Sequence, residues 1–375
     1  MPILSKEDTQ AILKKVLSYS KADECSASLG GTKGGNIRYA RNSVSTSGTE
    51  INMTLGVTAM FGKRSGASSI NEFDDASLRK VVQRAEELAK LAPENPESMP
   101  VLEPQQYLET KAAFEATAKI DAEYRAKAAA DSIEPCRAKG LTAAGFLEHS
   151  ENFAAIMNSK NLFAYNRSTG VNFSVTVRTD DGTGSGYATR DYNDAAKLNT
   201  GEASQIAIDK ALQSRTARAI EPGKYTVILE PAALFANTDA SLLGAMINSM
   251  DARSADEGRS FYSKPGGGNK LGERIVDERI TITSDPTNPD IPASPWSGDG
   301  RAREKTTWIE KGVVKNLFYA RYWAKEKNVK AVPTPAGIVV AGGDASLEDL
   351  IKDTKKGILV TRLWYIRPVD PQTLL

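Results

Sequence analysis

The sequence has 375 residues and a mass of 40.4 kDa, with 40% hydrophobic residues, 25% charged residues and a formal net charge of +1. Such a composition is typical of a globular protein of two or three domains. The near-zero charge argues against the global positive field that attracts nucleic acid or anionic membranes. No run of about 18 apolar residues exists to cross a bilayer, and the N-terminus lacks the apolar core of a secretory signal. We therefore predict a cytoplasmic protein without nucleic acid or membrane partners.

The cysteine content is low. Cys25 and Cys136 are too few for a disulfide framework and do not form a paired metal motif. We predict two free thiols in a reducing compartment.

The first part of the chain predicts an antiparallel sheet with flanking helices. The pair Ser5 and Asp8 forms a capping-box pattern at the start of a helix. Apolar periodicity predicts further helices and strands. The predicted helices are 75–92, 120–134 (ending before Pro135) and 203–217, and the predicted strands are 36–43, 52–61, 141–148, 154–158, 171–179 and 184–189. The glycine-rich stretch 29–35 is predicted to be a turn.

A domain boundary is predicted near Pro222, after the sequence EPGK. We expect an N-terminal α+β domain over 1–221, with a linker near 93–118, and a C-terminal β-rich domain over 222–375. Its predicted strands are 225–229, 274–283, 305–310, 313–319, 337–340 and 358–364, with a hairpin turn at Lys311-Gly312, a helix over 241–250 and a helix capped by Ser346 and ended by Gly357. Prolines at 286, 289, 292 and 295 match one face of a polyproline II helix, either a recognition peptide or a stiff connection.

No stretch of the sequence forms a complete catalytic or metal-binding site by itself. His149 is the only histidine, so the chain cannot build a site with two imidazole ligands, and we predict that it lies in a turn between two strands. Acidic residues alternate with arginines in MDARSADEGRSF, a pattern that predicts a solvated or salt-linked loop rather than a calcium site.

The order of segments resembles a known family. ADECSASLGGTKGGNIRYARNSVSTSGTEINMTLGVTAMF opens the chain, and KLGERIVDERITITSDP, GDGRAREKTTWIEKGVVKNLFYARYWAKEKNV and VVAGGDASLEDLIKDTKKGILVTRL follow. Together these segments resemble the TldD/PmbA family, the so-called modulators of DNA gyrase, which are similar to zinc peptidases built from two related subunits. The resemblance implies an N-terminal α+β domain followed by a barrel-like β domain with a few helices.

The resemblance also aligns the uncharged segment SLLGAMINSM with a functional helix of the family. In the family's catalytic subunit the corresponding helix carries His-Glu-x-x-x-His, in which two imidazoles bind zinc and the glutamate is the general base. Here Gly244, Ala245 and Ser249 stand at those positions. The family's third zinc ligand, a cysteine, belongs to a C-terminal stretch that this chain does not reach, so we expect the C-terminal domain to be truncated. Arg259 stands where the family has a basic residue, and it is a candidate for lining the cleft.

We therefore expect no catalytic residue, no metal ligand and no cofactor in this chain, and zinc in a partner subunit. The resemblance implies a TldE/PmbA-like subunit that forms a heterodimer with a TldD-like catalytic subunit, or a homodimer, and that binds unfolded peptide as an added strand. Two alternatives stay open: a regulatory protein-binding module like a gyrase modulator, and an autonomous hydrolase with an unidentified site. Whether the chain is itself an enzyme is left open.

Overall fold

The computed structural model describes residues 3–234 and 241–363, together with residues 366, 369, 370, 372 and 373. Its helices are α1 (Lys6–Ser18), α2 (Asp75–Leu91), α3 (Glu115–Ala118), α4 (Ala122–Ala138), α5 (Thr200–Gln213), α6 (Pro231–Leu234), α7 (Leu242–Asn248), α8 (Ala252–Asp256), α9 (Arg321–Lys327) and α10 (Leu347–Asp353). Its strands are β1 (Glu24–Ala40), β2 (Ser43–Phe61), β3 (Arg64–Ile70), β4 (Leu141–Asn158), β5 (Phe163–Thr179), β6 (Ser185–Tyr192), β7 (Thr226–Leu229), β8 (Ile282–Ser284), β9 (Thr306–Glu310), β10 (Val313–Val314), β11 (Ile338–Val340) and β12 (Gly357–Val360). None of these helices combines the length and apolarity that crossing a bilayer requires.

One antiparallel sheet organises the chain up to Tyr192. Its six strands have the order β3-β2-β1-β4-β5-β6, and four of them are 17 to 19 residues long. The mixture of helices with antiparallel sheets confirms the predicted α+β fold class.

All the helices that pack on this sheet cover the same face. α1 and α2 bury one end of it around Leu29, Leu55 and Phe153. α4 and α5 bury the other end around Leu147 and Phe173. Because successive strand residues point to opposite faces, the alternate polar positions lie on the face without helices.

The turn predicted at 29–35 is wrong, because these glycines lie inside β1. β1 pairs with β2 on one side and β4 on the other through this whole stretch. The glycines permit close approach: a methyl group at Gly35 would lie 2.6 Å from the Arg125 guanidinium and 3.0 Å from the His149 ring. The chain turns instead at Arg41 and Asn42, whose φ angles of 51° and 58° form the hairpin between β1 and β2.

Two further breaks predicted in this part are also wrong. The predicted strands 141–148 and 154–158 form the single strand β4, because neighbours on both sides give its polar middle residues backbone partners. α4 continues through Pro135 to Ala138. Proline in the last turn removes only its own amide from the helix, and packing of Ile133 and Cys136 in the core compensates for this.

The second half of the chain contains short strands joined by long loops. Its described strands form an antiparallel sheet with the order β10-β9-β8-β11 and a parallel pair of β12 with β7. The core beneath them is centred on Trp308, Tyr262, Met250 and Ile282. The predicted barrel-like character of this half and the domain boundary near Pro222 stay predictions.

The local predictions for this half have mixed outcomes. The Lys311-Gly312 turn, with φ angles of 47° and 78°, and the capping box at Ser346 are confirmed. The strands predicted at 274–283, 313–319 and 358–364 are much shorter, although residue 364 lies outside the described part. Gly357 opens β12 rather than ending α10.

The polyproline II hypothesis for the proline-rich loop is wrong. The amides of Asn288, Ile291 and Ala293 donate to the carbonyls of Asp285, Asn288 and Pro286. Polyproline II has no internal hydrogen bonds. The loop is therefore a series of turns.

Candidate functional site: the α7 helix and its surroundings

The predicted helix over 241–250 is confirmed as α7. The hydroxyl of Ser241 accepts a hydrogen bond of 3.1 Å from the amide of Gly244, which caps the helix. With no charged residue to form ion pairs, the helix is held by burial of Leu243 and Met246 in the C-terminal core, which also contains Met250.

Gly244 and Ala245 lie in α7 and Ser249 caps its C-terminal end, and the match of these three positions to the family's zinc motif stays a prediction. Gly244 is buried, and Ala245 and Ser249 are partly buried. The Ser249 hydroxyl donates to the Ala245 carbonyl at 2.7 Å, and the Ser260 hydroxyl donates to the Ser249 carbonyl at 2.6 Å. The only side-chain polar atom among the three is thus engaged with the helix backbone. These residues supply neither an imidazole for zinc nor a carboxylate for proton transfer.

The described residues offer no other group that fits a zinc ion. Across 3–234, 241–363 and the few described residues beyond, no group of three or more His, Cys, Asp or Glu side chains could hold a metal. Both cysteines are buried, and burial raises the pKa of Cys25 and raises that of Cys136 to about 11. Neither thiol therefore favours the thiolate form that metals and substrates require.

Arg259 belongs to an ion-pair network. Its side chain is 59% exposed and contacts the Glu257 carboxylate at 2.5 Å. Glu257 also accepts from Arg253 at 2.9 Å, and Arg253 binds Glu97 with two hydrogen bonds of 2.7 and 3.0 Å. The predicted salt links are confirmed, but residues Ala252–Asp256 form α8, so the prediction of a loop is wrong for that part. A role for Arg259 in a cleft stays a prediction.

The segment between α2 and α3 connects the two halves. The Tyr107 hydroxyl donates to the Gly300 carbonyl at 2.7 Å, and its ring meets Trp296 edge to face at 5.7 Å. Burial, and then the nearby Asp299, raise the pKa of Tyr107 to about 12. Next to this contact a groove of about 280 Å³ runs between the sheet, residues 99–102 and the loop at Gly300.

The helix-free face of the sheet carries a second, acidic groove. It has a volume of about 420 Å³ and is lined by Asn36, Glu50, Glu148 and Asn172, among others. The alternation of polar residues along β1 and β4 is the sequence signal for this face, and the predicted break in β4 obscured it.

His149 lies in β4, so the turn predicted for it is wrong. Its Nε2 lies 3.2 Å from Nη1 of Arg125, a buried guanidinium from α4. Burial, then Arg125 and Lys33, lower the pKa of His149 to about 4. The ring is therefore neutral at pH 7 and accepts from Arg125, a contact that no local sequence pattern reveals.

Three family models cover most of the chain. The PmbA/TldA metallopeptidase domain 1 matches residues 25–89, the central domain matches residues 96–215, and the C-terminal domain matches residues 222–374.

Curated relatives match over part of their length. A metalloprotease of Methanocaldococcus jannaschii is 26% identical over 167 residues, which are 41% of this chain and 35% of that protein. An uncharacterized protein of the same organism is 27% identical over 180 residues, which are 48% of this chain and 40% of that protein. The matched part thus spans well under half of either relative.

Solved structures share the fold along nearly the whole chain. A candidate modulator of a DNA gyrase from Thermotoga maritima has a TM-score of 0.82 at 16% identity, covering 94% of this chain and 82% of that one. TldE from Thermococcus kodakarensis has a TM-score of 0.81 at 18% identity, covering 96% and 83%. With all three family models matched in order along the sequence, this chain belongs to the PmbA/TldD metallopeptidase family.

Proposed function

We propose that this chain is the non-catalytic, TldE-like subunit of a heterodimeric zinc peptidase that degrades or processes unfolded peptides. The observation that carries the proposal is α7, a helix without an imidazole or a carboxylate at Gly244, Ala245 and Ser249, the positions that we align with a zinc-peptidase motif. We assign the metal and the general base to a TldD-like partner, because the described part of this chain contains no group of side chains that could hold a metal and α7 carries no carboxylate.

Membership of the family supports this assignment, and the whole-chain similarity to the TldE fold is consistent with it. The chain keeps the fold while the helix keeps its cap and its buried face. A subunit that shapes a chamber and holds substrate needs a stably packed helix at this place but does not need catalytic side chains on it.

The experiment compares three samples: this chain, a family homologue that contains His-Glu-x-x-x-His, and their equimolar mixture. Light scattering measures the complex, elemental analysis measures zinc, and an unfolded peptide measures cleavage with and without a chelator. We expect a 1:1 complex whose zinc is accounted for by the homologue and whose cleavage exceeds that of either chain alone.

Matched variants sharpen the result. Ser249→Ala and Ala245→Ser in this chain are expected to leave the cleavage rate of the mixture within about two-fold, since neither side chain touches the reacting atoms. Changing the first histidine of the partner's motif to alanine should abolish cleavage. Absence of a complex, or stoichiometric zinc with chelator-sensitive cleavage by this chain alone, would overturn the proposal. Retention of purified gyrase without cleavage would favour the regulatory alternative.

A further inference from the structure

A small groove lies on the helix-free face of the sheet, where the two halves of the chain meet. Its floor is formed by β1, β2 and β4, and its walls are formed by residues 99–102 and by the loop around Gly300. The groove has a volume of about 280 Å³. Ligand sites usually measure roughly 300–1,000 Å³, so this groove fits a small molecule or one end of an extended chain.

The wall at residues 99–102 is held in place by hydrogen bonds to the sheet. The Val101 amide donates to the Glu24 carboxylate at 2.7 Å, and the Leu102 carbonyl accepts from the Asn158 side chain at 2.7 Å. The groove therefore has its shape before a ligand enters, which reduces the entropy that binding costs.

Arg321 lines the groove without a partner. It is partly buried, and among the described residues it forms neither a hydrogen bond nor an ion pair. Burial lowers the pKa of Arg321, and the nearby charge of Asp299 opposes this effect. Arginine nevertheless stays protonated at neutral pH. Its guanidinium therefore brings a positive charge and free hydrogen-bond donors to the groove.

The carboxylates that act on Arg321 already contact other cations. Asp299 accepts from Nε of Arg301 at 2.7 Å, and Glu24 lies 3.2 Å from Lys160. Arg321 is thus left as the cation that a ligand can neutralise. A ligand with one negative charge fits this arrangement. A doubly charged phosphate would meet a single free cation and the adjacent carboxylate of Asp299.

Side chains on the floor of the groove can contact the body of a peptide. Ser26 and Thr58 lie opposite each other on β1 and β2, and Ser28 follows two residues later on β1. None of these three hydroxyls has a hydrogen-bond partner within the described part of the chain. Ile156 and Leu102 give the groove an apolar side. Hydroxyls donate to and accept from amide groups, and the apolar side fits a small apolar side chain.

We propose that this groove binds the C-terminal carboxylate of a short peptide whose last residue is small and apolar, with Arg321 holding the carboxylate. The hydroxyls on β1 and β2 contact the amides behind it. The guanidinium fork matches a carboxylate through two parallel hydrogen bonds. The inference rests on the proposed function for its class of substrate. The groove itself belongs to this chain, so binding is measurable without a partner subunit.

Fluorescence anisotropy on the full chain tests recognition of the carboxylate. The probe is fluorescein-labelled Gly-Ser-Ala-Val, with either a free C-terminal carboxylate or a C-terminal amide. We expect the free acid to bind about ten-fold more tightly than the amide, because the amide loses hydrogen bonds to a charged group. N-acetylvaline should displace the probe, whereas inorganic phosphate at the same concentration should not. No binding up to about 1 mM chain, equal binding of acid and amide, or displacement by phosphate would overturn the proposal.

Matched variants test the residues of the groove. Arg321→Gln should bind the free acid as weakly as the amide, and Arg321→Lys should keep part of the preference because it keeps the charge. The control is Arg279→Gln, whose side chain is 85% exposed and pairs with Asp277 outside the groove. It should bind within about two-fold of the wild type. Ser28→Leu, which fills the floor, should weaken binding of both peptides.

Arg321 and Ser28 both reach solvent, so circular dichroism of these variants is expected to match the wild type. An unchanged preference for the free acid in Arg321→Gln would refute the role of this residue.

The results separate this inference from the proposed function. One result is a chain that shows no preference for the free acid, although its mixture with the homologue forms a complex and cleaves peptide. The groove is then not a peptide site, and the subunit role stands. The converse result is a preference that depends on Arg321 without formation of a complex. The subunit role then fails, and the peptide site stands.

Discussion

The two halves of the molecule are stabilised by different means. Up to Tyr192, strands of up to 19 residues pair over long registers, and two pairs of helices bury one face. From Thr226 onward the strands have two to five residues, and side chains connect the loops. The Arg303 guanidinium, for example, donates to the carbonyls of Ser294 at 3.1 Å and Trp296 at 2.7 Å. The contacts that stabilise the first half are therefore spread over the whole sheet. Those that stabilise the second half involve a few buried groups.

The largest expected effect comes from Trp308, the largest fully buried side chain in the second half. It is 1% exposed, and its Nε1 donates to the Ser284 hydroxyl at 2.9 Å. We expect Trp308→Ala to lower the free energy of unfolding of this half by about 3–5 kcal/mol. Urea unfolding followed by hydrogen exchange should show the second half opening while the long sheet stays protected.

The control is Leu91→Ala in the first half, where the side chain is 84% exposed. It should change stability by no more than about 0.5 kcal/mol. A loss below about 1 kcal/mol for Trp308→Ala, or simultaneous opening of both halves, would contradict the contrast between them.

The contrast also explains which predictions succeeded. The α1 cap at Ser5 and the Lys311-Gly312 turn depend on neighbours in sequence, so local patterns predict them. Local patterns wrongly predict breaks at the glycines of β1 and in the middle of β4, because pairing on both sides imposes the strand conformation there. The match of Gly244, Ala245 and Ser249 to the zinc motif rests on the family resemblance and stays a prediction. The contact of Arg253 with Glu97 joins residues 156 apart and has no local signature.

His149 gives a smaller, pH-dependent effect within the first half. Its pKa is lowered from 6.5 to about 4, so the folded chain binds the proton more weakly than the unfolded chain. The stabilisation is complete above about pH 6.5 and is lost as the pH falls towards about 4. The loss from this group is roughly 3 kcal/mol at most.

The measurement is the difference in unfolding free energy between wild type and His149→Gln at pH 7.5, 6, 5 and 4. Glutamine keeps an oxygen that can accept from Arg125 but does not titrate. The wild type should lose more stability than the variant on acidification. Parallel pH profiles would show that the histidine is solvated rather than held against the guanidinium.

The smallest effect is expected where the halves meet. Arg253 and Glu97 are both more than one-third exposed, so water and salt screen their attraction. Glu97→Gln should shift the unfolding transition of the second half only slightly, and the shift should vanish in 1 M NaCl. The matched variant Glu94→Gln removes an ion pair with Arg64 that stays within the first half, so it should not move that transition. A large, salt-independent shift for Glu97→Gln would contradict this expectation. It would mean that the stability of the second half depends on its contact with Glu97 and not only on its own buried groups.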